Sequence, residues 1–266
     1  MSSDLKGKHV LITGGTRGIG LATGLALARY GARVALTHRW GSVTVEELAP
    51  KFAEVGAPPP LLIEADVVHE EDTAELLKTL SDNGFQGIDI FVSNVAFAQL
   101  VRGWEDMNAR GLARGIDYSA WPIVGYSMAL HEHFGRWPRY IIGMSSYGHE
   151  TYHCNYDFAA AAKAVLETLV KYMAYRLFDE GVCVNAIRAR WVETESLEAT
   201  VGPEFPPFVR QWPHPGQFVT PEEVADAAVA LCSGWLDGMS GSVLGVDHGA
   251  TFFDNVMRLY TEEQQR

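Results

Sequence analysis

The chain has 266 residues, 47% of them hydrophobic, and a formal net charge of −12. This length and apolar content predict a single domain, residues 1–266, with a substantial core, and the negative charge argues against a nucleic-acid partner, because phosphate binding favours a basic surface. The three cysteines lack disulfide or zinc spacing, and no apolar run is long enough for a signal peptide or a membrane span, so we expect a cytoplasmic protein with no metal site and no membrane partner.

The N-terminal region combines a strand, a glycine-rich turn and a helix. Residues 8–13, KHVLIT, form an apolar run typical of a strand, and residues 21–30 have helical spacing. Glycines between them let the backbone approach a pyrophosphate at the helix N-terminus, which is typical of a nucleotide-binding βαβ unit; the alternative is a purely structural turn. The predicted cofactor-binding residues of this turn are Gly14, Thr16, Arg17, Gly18, Ile19 and Gly20.

The second predicted strand, residues 33–37, bears on the choice of cofactor. In sites that prefer NAD, an acidic residue near the end of this strand binds the ribose hydroxyls. Here the strand ends in Thr37, His38 and Arg39, and Arg17 lies in the glycine turn. Because two arginines can pair with a 2′-phosphate, we predict NADP (NADPH) rather than NAD. The alternative is that Arg39 is a solvated loop charge.

The middle of the chain continues the alternation of strands and helices. Strands are predicted at residues 61–65, 88–93 and 140–144, with a helix at 70–80 and partly helical structure over 104–128, where Pro122 limits a continuous helix. Candidate site residues follow each strand, and those after the first two strands are predicted to bind the cofactor. Asp66, a candidate for the adenine amine, and Val67 follow the first, Asn94 follows the second, and Ser145 and Ser146 follow the third.

A long helical pattern over residues 156–178 places Lys163 among alanines. A lysine in an apolar helix is costly to bury unless a group accepts its charge or its hydrogen bonds. Tyr156 lies seven positions earlier, about two turns away on nearly the same face, so the two side chains leave room for a polar ligand between them. The alternative is a lysine whose amine reaches the surface.

The last third of the chain completes the predicted sheet. We expect strands at residues 182–187 and 242–246, a helix from Thr220 to about residue 232, and an irregular lid near 195–217. The alternation predicts an α/β fold with a mostly parallel sheet, whose ligand crevice lies beyond the carboxyl ends of the strands. Val192 and Thr194 complete the predicted cofactor site, and the apolar tail from Thr251 suggests packing on the domain or on a neighbouring subunit.

Aromatic residues are frequent in and around the lid. They favour an apolar, even aromatic, substrate, although ordinary packing of a long loop is an equal alternative. These residues are Trp191, Phe205, Phe208, Trp212 and Phe218.

Several motifs together resemble the short-chain dehydrogenase/reductases. They are TGGTRGIG in the glycine turn, SNVA after the fourth strand, the paired serines before the Tyr156 helix, VNAI in the sixth strand and VDHG after the last. The resemblance covers nearly the whole chain. It implies a doubly wound parallel sheet (Rossmann fold), a nicotinamide cofactor, hydride transfer and a homo-oligomer, a tetramer or a dimer.

Three departures from that family pattern bear on the chemistry. The usual Tyr-x-x-x-Lys would place a tyrosine at Ala159, whereas Tyr156 gives the Tyr-x6-Lys spacing that marks the enoyl-acyl carrier protein reductases. The asparagine that many ketoreductases carry on the preceding helix has Asp117 as its nearest counterpart. The usual Pro-Gly after the sixth strand is replaced, and Arg190 stands there beside the expected nicotinamide pocket.

The resemblance therefore implies an NADPH-dependent reduction of an activated carbon–carbon double bond. Tyr156 would stabilise the enolate oxygen, Lys163 would hold the nicotinamide ribose and Ser146 would assist. The substrate would be a small molecule or a coenzyme A thioester; an acidic carrier protein suits the acidic chain less, unless Arg188, Arg190 and Arg210 form a basic patch. The alternatives are a ketoreductase of a specialised, polyketide-like pathway that takes its proton from Tyr156, Tyr152 or water, and a non-catalytic NADP-binding sensor.

Overall fold

A parallel sheet of seven strands forms the centre of the computed structural model, which describes residues 5–39, 43–97, 99–211 and 218–264. The strands in chain order are β1 (His9–Ile12), β2 (Arg33–His38), β3 (Leu61–Glu64), β4 (Ile90–Ser93), β5 (Tyr140–Ser146), β6 (Cys183–Ala189), β7 (Trp191–Val192), β8 (Phe218–Val219) and β9 (Val243–Val246). The order across the sheet is β3-β2-β1-β4-β5-β6-β9, and β7 pairs with β8 outside it. The crossover between β1 and β4 places a ligand crevice at their carboxyl ends.

Helices cover both faces of the sheet. They are α1 (Gly18–Arg29), α2 (Val45–Glu54), α3 (Glu70–Asp82), α4 (Ala109–Ser119), α5 (Pro122–Phe134), α6 (Asp157–Arg176), α7 (Glu195–Val201), α8 (Phe205–Arg210), α9 (Pro221–Cys232) and α10 (Asn255–Gln264). Short 3₁₀ turns occur at Trp104–Asp106, Tyr147–His149 and Ala250–Phe252. None of the described helices is long and apolar enough to cross a membrane.

Each face of the sheet has its own apolar core. Leu27 of α1, Phe52 of α2 and Val224 of α9 are fully buried on one face. Leu76 of α3 and Leu166 of α6 are fully buried on the other. Burying one such side chain contributes about 1.5–3 kcal/mol, and β4, buried at every residue, lies between the two cores. The predicted doubly wound fold is confirmed.

The structure corrects the prediction of an irregular segment at residues 195–217. Its described part forms α7 and α8, and residues 212–217 lie outside the described residues. Pro206 and Pro207 suggested a loop, but they lie in the first turn of α8, where a backbone N–H has no partner to lose. Helix α2, which the sequence analysis did not predict, begins with a capping box between Thr44 and Glu47.

The C-terminal tail exposes apolar side chains rather than packing them on the domain. Phe252 is 92% exposed, and Val256, Met257 and Tyr260 of the tail are exposed as well. Packing on a neighbouring subunit therefore stays a prediction.

Candidate active site

The glycine-rich turn between β1 and α1 needs its glycines for steric reasons. Gly14 and Gly18 have φ of +63° and +53°, in the left-handed region that favours glycine. At Gly20 a Cβ atom would lie 2.4 Å from the Gly14 carbonyl oxygen and 2.7 Å from Nδ2 of Asn94. That amide donates hydrogen bonds to the carbonyl oxygens of Thr13 (3.1 Å) and Gly14 (2.9 Å), so Asn94 holds the turn against β1.

The N-terminus of α1 fits a dinucleotide. Within the described turn and helix, the N-cap residue Arg17 makes no side-chain capping hydrogen bond, and the first turn has no acidic residue. The first N–H groups of the helix are therefore available to a pyrophosphate, which the positive end of the helix dipole attracts. Thr16 and Ile19 are half-buried in this turn. Thr194 lies beside it, since a Cβ atom at Gly18 would be 3.3 Å from the Thr194 methyl group.

At the predicted adenosine end, Arg39 contacts Asp66. Nη1 of Arg39 lies 2.5 Å from Oδ2 of Asp66, which is 2% exposed. The same carboxylate accepts hydrogen bonds from the Tyr118 hydroxyl (3.2 Å) and from the backbone N–H of Val68 (3.2 Å). Asp66 thus anchors Arg39, and Val67 beside it is buried; the roles of Asp66 and Val67 in adenine binding stay predictions.

Arg17, the second arginine expected near the ribose, has a different partner. Its Nη1 lies 3.0 Å from the Glu195 carboxylate, and both side chains are largely exposed. Such an exposed pair is worth little energetically, so Arg17 can leave it at small cost. Its role in cofactor binding stays a prediction.

Tyr156 and Ser146 meet at the carboxyl end of β5. The Ser146 hydroxyl donates a hydrogen bond of 3.1 Å to the Tyr156 hydroxyl, which leaves the phenolic proton for a ligand. Burial raises the pKa of Tyr156, and the hydrogen bond from Ser146 opposes that rise, so the phenol is a proton-bearing donor at neutral pH. Tyr156 is the N-cap residue of α6. Ala159, at the usual family position of the tyrosine, is 1% exposed and enclosed by protein.

Lys163 is buried one and a half turns into the same helix. It is 4% exposed, and its Nζ donates a hydrogen bond of 2.6 Å to the Met144 carbonyl oxygen of β5. Burial lowers the pKa of Lys163 to about 8, against the opposing effect of Glu167. An ammonium has three donors, so two remain for a ribose. The alternative of a lysine that reaches the surface is wrong.

Glu167 and Arg188 form a buried ion pair that the sequence analysis missed. Nη2 of Arg188 lies 2.5 Å from one Glu167 oxygen, Nε donates to the other at 2.9 Å, and Ser145 donates to Glu167 at 2.6 Å. Burial alone would raise the pKa of Glu167, but the hydrogen bonds from Arg188 and Ser145 and the charge of His149 hold it below its usual value. The sequence did contain a signal for this pair, because Glu167 is a charged residue in an apolar helix, and the same argument had singled out Lys163.

Arg190 follows β6 and lies against Trp191. Its guanidinium carbon is 4.2 Å from the Trp191 ring centroid. The ring of His153 is 6.1 Å from that of Trp191 and 5.9 Å from that of Tyr156, which links the arginine to the phenol. Burial lowers the pKa of Arg190, with Asp247 and Tyr147 opposing; burial and then Arg190 lower the pKa of His153. Half-buried Arg190 and neutral His153 therefore border the reacting end of the crevice.

Three of the five aromatic residues predicted in and around the lid form a cluster. Phe205 packs edge-on against Trp191 with centroids 4.8 Å apart, and Phe218 lies 6.2 Å from Trp191. Phe208 is 54% exposed on the outer side, and Trp212 lies outside the described residues. The three clustered rings close one side of the crevice.

Other candidates do not meet in the site. Asp117 is exposed on α4 and is not the counterpart of an active-site asparagine. Tyr152 is 86% exposed, although it lines an open groove of about 390 Å³ beside Tyr156. The suggested basic patch is wrong as well, because Arg188 pairs with Glu167 and Glu150 and Arg210 pairs with Glu193.

A dinucleotide turn and a facing phenol, hydroxyl and ammonium define a nicotinamide-dependent reductase, and comparison with known proteins agrees. The family described as "Enoyl-(Acyl carrier protein) reductase" matches residues 14–251. Enoyl-[acyl-carrier-protein] reductase [NADH] FabI of Aquifex aeolicus is 30% identical over 276 residues, covering 98% of this chain and 96% of that protein. Its crystal structure has a TM-score of 0.75 at 28% identity, covering 94% of this chain and 98% of that one.

A second relative is 1-cyclohexenylcarbonyl-CoA reductase of Streptomyces collinus, 29% identical over 248 residues, covering 90% of this chain and 85% of that protein. The chain therefore belongs to the enoyl-(acyl carrier protein) reductase family within the short-chain dehydrogenase/reductases. It is an oxidoreductase that depends on a nicotinamide dinucleotide.

Proposed function

We propose that this protein uses NADPH to reduce a carbon–carbon double bond conjugated to a thioester or ketone carbonyl. The observation that carries the proposal is the Tyr156 hydroxyl, which accepts from Ser146 and keeps its own proton. Ala159, where a ketoreductase of this family would have its tyrosine, is enclosed by protein and has no acidic proton. The proton-bearing group is therefore displaced toward the start of α6.

The displacement suits a conjugated substrate. When bound, the reduced nicotinamide supplies a hydride, which a conjugated substrate accepts at its β-carbon. Negative charge then collects on the carbonyl oxygen, three bonds away from the β-carbon, and Tyr156 donates a hydrogen bond to that oxygen. A donor fixed before the reaction, as Ser146 fixes this phenol, stabilises the developing charge without reorganisation. A proton taken up from solvent then adds to the α-carbon and completes the reduction.

Lys163 holds the ribose side of the site. Its hydrogen bond to Met144 fixes the ammonium, and its two remaining donors are the groups that would bind the ribose. Its positive charge also favours the enolate on the neighbouring Tyr156 side. Lys163 thus acts by binding, orientation and electrostatics.

The proposed preference for NADPH rests on the residues at the end of β2. The strand ends at His38 and Arg39 follows it, so neither of these two residues offers a carboxylate to the ribose hydroxyls. Arg39 pairs with buried Asp66, which fixes the guanidinium just after β2, and this is the group that would bind the 2′-phosphate. The relative from Aquifex aeolicus carries NADH in its name, so the ratio of kcat/KM for the two cofactors is a direct test. We expect NADPH to be favoured, and Arg39→Ala to reduce that preference.

We propose a thioester or small enone as the substrate, in keeping with the named substrate of the Streptomyces relative. The test offers a trans-2-enoyl-CoA and the 3-oxoacyl-CoA of equal chain length and follows NADPH oxidation. We expect turnover of the enoyl compound, and a loss of about 10²–10³-fold in kcat for Tyr156→Phe. Tyr152→Phe, which changes an exposed tyrosine of the same segment, is the matched control.

The other outcomes each give a different function. Turnover of the 3-oxoacyl compound alone would replace the proposal with a ketoreductase. Tight NADPH binding with no turnover of either compound would favour a non-catalytic sensor.

A further inference from the structure

Arginines near the carboxyl edge of the sheet differ in their partners. Arg17 pairs with Glu195, Arg39 with Asp66, Arg188 with Glu167 and Arg210 with Glu193. Within the described residues, Arg190 is the member of this set with no carboxylate within ion-pair distance. It is also half-buried, so water satisfies it less well than an exposed arginine.

The nearby acid is already engaged. Asp247 accepts hydrogen bonds from the backbone N–H groups of Gly249 (2.9 Å) and Thr251 (3.4 Å) and from the Thr251 hydroxyl. Its carboxylate therefore stabilises the turn after β9. The charge of Asp247 still acts on Arg190, but at longer range than an ion pair, so a ligand that brings a carboxylate into direct contact with the half-buried guanidinium would be favoured.

Arg190 is also oriented. Its backbone N–H donates to the Val246 carbonyl oxygen at 3.1 Å, and its guanidinium stacks on Trp191. A guanidinium has N–H donors in its plane that match the two oxygens of a carboxylate, and contact with an aromatic face leaves those donors available. The ring contacts through His153 place it near Tyr156.

We propose that Arg190 binds a carboxylate carried by the substrate on the far side of the reducible double bond from the thioester or ketone. This inference rests on the proposed function and names its substrate class: an unsaturated acyl compound with a second, anionic end. The phosphates of coenzyme A fit less well, because they lie at the far end of the pantetheine arm, whereas Arg190 is linked to the phenol through the rings of Trp191 and His153. Trp191 and Phe205 would cover the apolar middle of such a substrate.

The first test compares an ω-carboxy trans-2-enoyl-CoA with its methyl ester. A charge-assisted bidentate pair corresponds to about a tenfold to hundredfold preference in kcat/KM for the carboxylate. Arg190→Met should abolish the preference, and Arg190→Lys should keep part of it. Arg210→Met, which removes an exposed arginine that already has a partner, should retain the wild-type ratio.

The second test does not depend on turnover. Calorimetric titration with the saturated ω-carboxyacyl-CoA and its methyl ester measures the same preference as a ratio of Kd values, so failure of the reduction and failure of this inference are distinguishable. A wild-type protein that binds both ligands equally would overturn the inference. So would an Arg190→Met variant that loses affinity equally for both, which would indicate contact with the coenzyme A phosphates, or one that loses affinity for NADPH.

Discussion

Two desolvated cations border the proposed active site, and they are held in opposite ways. Lys163 is enclosed by protein and donates to the Met144 carbonyl oxygen at 2.6 Å. Arg190 is half-buried and rests on Trp191 without a carboxylate partner among the described residues. The comparison teaches that the protein itself supplies the hydrogen-bond acceptor for Lys163, whereas the carboxylate that would pair with Arg190 has to come from a ligand.

The pair between Glu167 and Arg188 gives a third case, in which the anion is also built in, and its disruption should have the largest effect. Glu167→Ala leaves half-buried Arg188 with Glu150 as its carboxylate partner among the described residues, so we expect a loss of about 1–3 kcal/mol in the free energy of unfolding. Urea denaturation measures it. Arg188→Met combined with Glu167→Ala should cost less than the sum of the single changes; additive losses would show that the two side chains are not coupled.

Removing the enclosed cation should affect catalysis next most strongly. Lys163→Met keeps the length of the side chain but loses the ammonium that holds the ribose and favours the enolate. We expect kcat/KM to fall by about 10²–10³-fold, with weaker NADPH binding by calorimetry. Lys171→Met, which changes an exposed lysine of the same helix, is the control. Unchanged cofactor affinity in Lys163→Met would contradict the role in ribose binding.

The enclosed cation should also set the alkaline limit of activity. Because burial lowers the pKa of Lys163 to about 8, the ammonium is lost as pH rises through that value. Above it, kcat/KM should fall about tenfold per pH unit. Tyr156 does not cause this limb, since its pKa is raised.

Stability should respond in the opposite direction. The unfolded chain binds the proton of Lys163 up to the ordinary pKa of 10.5. The penalty for burying the charge is therefore present in full below about pH 8, and it disappears as the pH rises from about 8 to 10.5, so the free energy of unfolding increases over that range. Lys163→Met should remove both trends. If kcat/KM of the wild-type protein stays constant up to pH 10, the charge of Lys163 is not required for activity.

The smallest effect concerns the position of the phenol between the two cations. A Cβ atom at Gly148 would lie 2.4 Å from Cδ1 of Tyr156, so Gly148→Ala must shift the ring. Since small misplacements of a catalytic group are costly, we expect about a tenfold fall in kcat. Gly238→Ala, where no atom lies within 4 Å of the added carbon and φ is outside the left-handed region, is the glycine control, and its activity should stay near wild type.

The order of the fold could be predicted from the sequence because it depends on local patterns. Apolar runs predicted the strands of the sheet, and the capping signal at Thr220 predicted α9, which the structure begins at Pro221. The prolines of α8 misled because their effect depends on where in a helix they lie. Pro206 near the start of a short helix is favourable, whereas the same residue in its interior would break it.

The site could be predicted only where one residue implied its own chemistry. Lys163 and Tyr156 did so through spacing on one helix. The partners of Arg188 and Arg39 did not, because Glu167 and Asp66 reach them only through the folded sheet; β5 and β6, for example, bring Ser145 opposite Arg188. Such long-range pairs depend on how neighbouring strands are aligned, and the sequence patterns used here do not predict that alignment.

The buried methyl group of Ala159 has an evolutionary consequence. A tyrosine restored there would have to displace packed protein, because the position is 1% exposed and overpacking a core costs about 1–3 kcal/mol or more. Tyr156, outside the first turn of α6, is free of that constraint. The two positions of the tyrosine, 156 and 159, are therefore separated by repacking around α6. We expect that a single substitution is not enough to move the tyrosine from one position to the other.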